Sequence, residues 1–192
     1  MLDGERTAVA EKSKPQVPGS ELDRGDGSLV VEAVVKIDRA NTAGVIAGKL
    51  DAAGGYAQRL AGGKPEFLER SAAGEALVTG PARIDDGAWH HILVEADRAT
   101  GELRVHVDGK TVASSSAPAV LAAASTCPAG FTAGVVVVGA IDFLRVARGS
   151  LADAQTTIAE LYAWEFDGPQ FRDFAGRKIT GKFRDIGALE AP

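Results

Sequence analysis

The sequence holds one cysteine, Cys127, in 192 residues. That excludes an internal disulfide and any cysteine-based zinc module. Its apolar runs are short: residues 135–138, between Gly134 and Gly139, are far from the length that spans a bilayer. Positive charge is not in excess, with 21 Lys and Arg against 26 Asp and Glu and a net charge of −5. A nucleic-acid binder working through a global positive field is therefore excluded. The first 27 residues contain no apolar block of the signal-peptide kind. A mature secreted fragment, a domain of a longer protein and a cytosolic protein would all read this way. Aromatics are scarce at 6%, which argues against a strong sugar site built from several exposed rings.

What is present is 23 glycines, much alanine, and an apolar content of 45% that suffices for one domain with a core. Residues 1–27 mix charges with Pro15, Pro18 and Gly19 and read as a polar arm or linker. Leu29, Val31, Ala33, Val35 and Ile37 then form one apolar face of a strand, opposite Glu32 and Lys36. Residues 45–50 return as a second strand. Residues 56–60 and 66–70 flank Gly62-Gly63 as a hairpin, and 75–79 form a fifth run. Asp85-Asp86-Gly87 is a turn before the strand 89–96. Leu103, Val105 and Val107 alternate with Glu102, Arg104 and His106, and Asp108-Gly109 turns the chain into 111–114. Residues 114–130 are small and of low complexity and predict a long surface loop; strands return at 132–138 and 141–146. Ser150 and Asp153 have capping-box spacing, and Leu151, Ala154, Ile158, Leu161 and Tyr162 fall on one helical stripe. About ten short strands and one late helix predict an all-β, two-sheet antiparallel sandwich with one short helix near the C-terminal end.

Five pieces in this order carry a family resemblance: residues 28–36, Asp86-Gly-Ala-Trp89-His-His91, residues 103–109, residues 139–146, and the helix from Ser150 to Tyr162. On them the chain resembles the laminin-G-like, concanavalin A-like lectin/glucanase jelly-roll domains of bacterial surface and polysaccharide-processing proteins. The resemblance covers residues 28–165 and implies two packed, curved antiparallel sheets used for carbohydrate or protein binding. It divides the chain into a polar arm (1–27), the sandwich (28–165) and a basic tail (166–192) packing on the sandwich or on a neighbouring domain. In that tail Arg172, Arg177, Lys178, Lys182 and Arg184 interleave with Phe171, Phe174 and Phe183. The phenylalanines would anchor the tail while the charges stay solvated; an acidic polysaccharide partner is the functional alternative. Asp173-Phe-Ala-Gly-Arg177 and Asp185-Ile-Gly-Ala-Leu-Glu190 also look like the closing segment of secreted bacterial proteins with parallel β-helix domains. That likeness implies the C-terminal part of a larger exported protein, secreted or at the cell surface.

Enzymes of this fold that cleave β-glucans carry a Glu-x-Asp-x-(x-)Glu run that puts two carboxylates in one cleft. No such run occurs here, and Glu66 and Glu69 fall on opposite faces of any strand. There is no Gly-x-Ser-x-Gly turn, and Cys127 sits among alanines without a helix start or basic neighbour. The chain reads as no enzyme. Adjacent His90 and His91 point to opposite faces of a strand and do not chelate one ion together; Trp89 is expected to fill core, with one histidine hydrogen-bonded at the strand edge. Arg104 and His106 share a face, and Tyr56 and Gln58 share another strand's face. These four read either as a solvated polar surface or as a sugar-contacting patch. The resemblance implies one further site, a calcium contact at Asp142 on a sheet rim, with Asp38, Asp51 or Asp108 joining only through folding. The functional expectation is a non-catalytic carbohydrate-binding or adhesion module whose partner is a polysaccharide or glycan. The alternative is a structural or interaction domain docking on other domains of a polysaccharide-processing parent without binding a ligand; a degenerate hydrolase is a third reading. Neither a nucleic-acid partner nor a membrane span is expected.

Overall fold

The computed structural model describes residues 22–40, 42–135 and 137–167. Within them ten strands form two antiparallel five-stranded sheets. Sheet I has the order β10-β1-β6-β7-β8, from β10 (Gly139–Arg148), β1 (Leu29–Ile37), β6 (Trp89–Asp97), β7 (Glu102–Val107) and β8 (Lys110–Ser116). Sheet II has the order β5-β4-β3-β2-β9, from β5 (Gly74–Thr79), β4 (Lys64–Ser71), β3 (Gly55–Ala61), β2 (Gly44–Leu50) and β9 (Thr132–Val135). Neighbours in these orders are often distant in sequence, so the strands close around one another as a jelly-roll sandwich. The expected fold class holds.

The predicted alternation sets the core. Leu29, Val31, Ala33, Val35 and Ile37 on β1 meet Ile92, Val94 and Ala96 on β6 and Leu103 and Val105 on β7. From sheet II come Ile46, Tyr56, Leu60 and Phe67. Both predicted hairpins form at turns whose two central residues have positive φ: Gly62 (57°) and Gly63 (81°), then Asp108 (48°) and Gly109 (75°). That backbone matches the twist of the flanking strands and favours Asp-Gly and Gly-Gly.

Two local differences from the expectation stand out. Within the supposed loop 114–130 lies a short helix, α1 (Pro118–Ala122), started by proline and burying Val120 and Leu121. The Ser150/Asp153 capping box does form: the Ser150 amide donates to Asp153 Oδ2 at 2.8 Å and the Asp153 amide to Ser150 Oγ at 3.1 Å. It closes only a turn, which ends at Gln155 with φ of 51°. The helix α2 (Ile158–Asp167) starts from a second box instead, in which Thr157 and Glu160 cap each other's amides at 2.9 and 3.2 Å.

Residues 22–24, placed by sequence in the polar arm, are buried in the sandwich. Arg24 is 1% exposed and is ringed by acceptors. Its Nε donates to Glu69 Oε1 at 2.7 Å, Nη1 to the Gly27 carbonyl at 2.8 Å, and Nη2 to the Ala123 carbonyl at 2.5 Å. The Leu121 and Val120 carbonyls at the end of α1 lie at 3.3 and 3.5 Å. Beside it Asp23 accepts from Lys49 Nζ at 2.6 Å and from the Cys127 amide at 3.2 Å. Residues 1–21 and the tail 168–192 lie outside the described residues.

Arg24→Ala leaves Glu69 buried without its cation and is expected to cost about 3–5 kcal/mol in urea unfolding. Arg59→Ala, which breaks the Arg59–Glu66 pair on the outer face of sheet II with Arg59 35% exposed, should cost about 1 kcal/mol or less. Equal losses would contradict the clamp.

Candidate functional site

The four residues read as one polar patch are divided by the fold. Tyr56 and Gln58 belong to the inner set of β3 and are fully buried between the sheets. The Tyr56 hydroxyl donates to the Leu22 carbonyl at 2.8 Å, and burial with the nearby Glu69 charge pushes its pKa up, so it remains a donor. Gln58 Nε2 donates to the Ile92 carbonyl of the opposite sheet at 3.4 Å. Neither side chain reaches a ligand, because the outer positions of β3 are held by Gly55, Ala57 and Arg59. Arg104 and His106 do lie together, on the outer face of sheet I. There Arg104 is saturated by three carboxylates: Glu102 at 2.7 Å, Glu95 at 2.9 Å and Asp97 at 3.2 Å. His106 is 2% exposed, 2.9 Å from Thr111 Oγ1 and 3.7 Å from Glu95.

This face is roofed by the C-terminal part of the described chain. Leu151 and Leu161 bury themselves against Val30 and Leu93, with Ile158 at the margin. The Leu151 amide donates to Glu95 Oε1 at 2.7 Å. The Tyr162 ring lies 5.5 Å from that of His91, and a Cβ on Gly109 would meet it at 3.0 Å. Beneath the roof His91 Nε2 pairs with Glu32 at 2.7 Å, both fully buried, and Arg145 pairs with the other Glu32 oxygen. The charges on this part of the face thus hold a cover in place.

Beyond the roof, at the end of the same face, stands Trp89. The expectation that it fills core is not met: it is 39% exposed. Its register explains why. Trp89 shares the phase of His91, Leu93 and Glu95, the outer set of β6, and pairs across with Lys36 and, one strand on, Ala140. The signal was present in the sequence, since Ile92, Val94 and Ala96 claim the inner phase. His90, on the alternate phase, is clasped by Asp108 Oδ2 at 2.8 Å and Asp86 Oδ1 at 3.2 Å. Asp108 Oδ1 also accepts the His91 amide at 2.9 Å, so the start of β6 is tied to the β7–β8 turn. This fixes the backbone from which the indole projects.

Calcium needs six to eight oxygens. Asp142 is exposed on β10, and among the described residues no three His, Cys, Asp or Glu side chains are grouped to hold a metal. Asp38 pairs with Lys36 at 3.5 Å, Asp51 accepts the amides of Ala53 and Gly54, and Asp108 holds His90. The described residues therefore do not fit a calcium site at Asp142. Among them no helix is long and apolar enough to cross a membrane.

A family model described as the concanavalin A-like lectin/glucanases superfamily (Laminin_G_3) matches residues 10–156. No curated protein matches the chain. Among solved structures, the carbohydrate-binding module CBM40 of the Ruminococcus gnavus IT-sialidase, bound to α2,3 sialyllactose, is similar with a TM-score of 0.58 and 12% identity, covering 80% of this chain and 98% of that one. The mouse laminin α1 domains LG4-5 give 0.59 and 16%, covering 76% and 42%. The binding domain of Paraclostridial Mosquitocidal Protein 1 gives 0.59 and 12%, covering 87% and 49%. The chain thus spans less than half the length of the last two. At these identities the likeness is one of fold.

Burial alone would push the His90 pKa down, but the hydrogen bonds to Asp108 and Asp86 outweigh it and hold it above the ordinary value. A raised value in the folded state adds stability that is complete below about pH 6.5 and is lost as pH rises through the folded pKa. An NMR titration of the His90 ring should therefore give a midpoint above 6.5 that falls in Asp108→Asn. A midpoint at or below 6.5 in the unaltered protein would refute the clasp.

Proposed function

Because the chain belongs to the concanavalin A-like lectin/glucanase superfamily, we propose that it is a non-catalytic carbohydrate-binding or adhesion module of an exported bacterial protein, with Trp89 as its principal sugar contact. The observation that carries this reading is the exposure of that one indole at the end of a face otherwise roofed. A flat aromatic side chain packs against the apolar face of a pyranose. Lys36, paired with Trp89 in the sheet, supplies an ammonium donor for ring hydroxyls. The sialyllactose held by the Ruminococcus gnavus module lends support from a protein of the same fold.

The non-catalytic reading rests on where the carboxylates are spent. Hydrolysis of a glycosidic bond needs two of them facing the substrate, about 5–5.5 Å apart for retention or 6.5–9.5 Å for inversion. Glu69 is buried on Arg24, Glu66 is paired with Arg59, and Glu32 and Glu95 lie under the roof. A second reading, an interaction domain that docks on a polysaccharide-processing partner without a ligand of its own, is favoured by the half-exposed strands β9 and β10.

On a glycan array Trp89→Ala should lose about 2 kcal/mol or more, roughly thirtyfold in apparent affinity, with an unchanged melting temperature. Arg104→Ala should lower the melting temperature and leave the glycan signal of the folded protein intact. Binding that survives in Trp89→Ala would overturn the assignment. No glycan signal at all, with tight binding to a parent domain, would favour the second reading.

A further inference from the structure

Among the described residues three large apolar side chains stand well out of the surface, Leu77, Trp89 and Val138, and two of the three share one end of sheet I. The register shows how they lie. Trp89 pairs with Lys36 on β1, and Lys36 pairs with Ala140 on β10. The Asp38 amide donates to the Val138 carbonyl at 3.0 Å, which sets Val138 just before the start of β10. Val137 and Ile141 pack against the core, so Val138 and Ala140 take the outer phase, the side of Trp89. Val138 is 47% exposed. Between the indole and this valine lies the Lys36–Asp38 pair, with nitrogen and oxygen 3.5 Å apart. Beyond Ala140 the pairing slips by one residue: Val35 faces Ile141 and Val34 faces Phe143. Asp142 is therefore the extra residue of a β-bulge, and it is exposed. Bulges re-aim side chains and recur beside functional sites.

Resting on the reading of Trp89 as a sugar contact, we propose that this site takes an internal stretch of an uncharged linear polysaccharide, laid across β6, β1 and β10, and not a single terminal sugar. One unit stacks on the indole. The chain then crosses the Lys36–Asp38 pair, whose ammonium donates to hydroxyls and whose carboxylate accepts from them. A later unit lies over Ala140 and Val138, with Asp142 accepting from its hydroxyls. This succession of surfaces suits a chain of pyranoses, each of which carries an apolar C–H face and a rim of hydroxyls. The width fits as well. β6 and β10 are two strand spacings apart, about 10 Å, which is more than one pyranose ring covers. Ala140 contributes by its size, since a methyl group leaves the path from the indole to Val138 clear. Charge selects against acidic sugars: Asp38, Asp86 and Asp142 are exposed and outnumber Lys36 and Arg39, while His90 is spent on Asp86 and Asp108.

Titration of the full chain with cello-, xylo-, manno- and chito-oligosaccharides of one to four units tests this. In at least one series the affinity should climb about tenfold or more between the single sugar and the longest chain, as a second contact of more than marginal worth would give. Val138→Ser/Asp142→Ala, with both changes at exposed positions, should flatten that climb and leave the single-sugar affinity and the melting temperature as they were. Trp89→Ala should lose the single-sugar affinity as well. A single sugar that binds as tightly as the chain, a climb that survives Val138→Ser/Asp142→Ala, a double variant that loses single-sugar binding together with the climb, or no binding in any of the four series overturns the inference. A Trp89-dependent glycan signal without the climb overturns the extended chain alone. A glycan signal indifferent to Trp89 overturns the sugar contact beneath it too.

Discussion

Arg24 is a full positive charge with no exposed side-chain surface, and the closed end of the sandwich is organised around it. Taking a guanidinium out of water costs several kcal/mol unless every donor finds an acceptor. Here Glu69 supplies the countercharge, and the carbonyls of Gly27, Val120, Leu121 and Ala123 take the remaining donors. Three segments far apart in sequence thereby become one: the stretch before β1, the inner face of β4, and the end of α1. Two more contacts hang from the same anchor. Leu22 receives the Tyr56 hydroxyl, and Asp23 receives Lys49 and the Cys127 amide. With this corner set, Tyr56 is committed to the interior, as Gln58 is by the Ile92 carbonyl, and neither is left for a ligand.

The outer face of sheet I shows the same physics put to a second use. Glu32, Glu95, His91, His106, Arg104 and Arg145 would be a charged solvent face on an ordinary sandwich. They are instead paired among themselves, and Leu151, Leu161 and Tyr162 close over them. The roof therefore consumes the charges that a sequence reader would assign to recognition. What remains open on that face is its far end, where Trp89 projects from a backbone tied down by His90, Asp86 and Asp108.

Much of the fold was legible in the residues. The alternation in β1 and β7, the Gly62-Gly63 and Asp108-Gly109 turns, and the succession of strands along the chain all followed from period-2 patterning and from backbone that only certain residues adopt. The site was much less so. In Gly-Tyr-Ala-Gln-Arg-Leu-Ala the alternation separates two sets, but it does not say which set faces the core when both hold polar atoms. Tyr56 and Gln58 went inward because the hydroxyl and amide found carbonyls there. Arg24 was unreadable for the same reason: a buried charge depends on partners 45 and about 97 residues away. Trp89 could have been placed from its phase relative to Ile92 and Val94, although tryptophan's usual preference for burial points the other way. At the C-terminal side, Ser150 and Asp153 formed their box, while a left-handed Gln155 ended the turn and passed the helix start to Thr157 and Glu160.

The central claim is that recognition sits at the open end of this face and not on its charged middle. Chemical-shift mapping of the full chain with the best-binding glycan tests it directly. The account predicts the largest changes at the Trp89 indole and at the amides of Lys36 and His90, with Arg104, His106, Tyr56 and Gln58 unmoved. Changes centred on Arg104 and His106, or on the outer face of sheet II around Arg59, would contradict it.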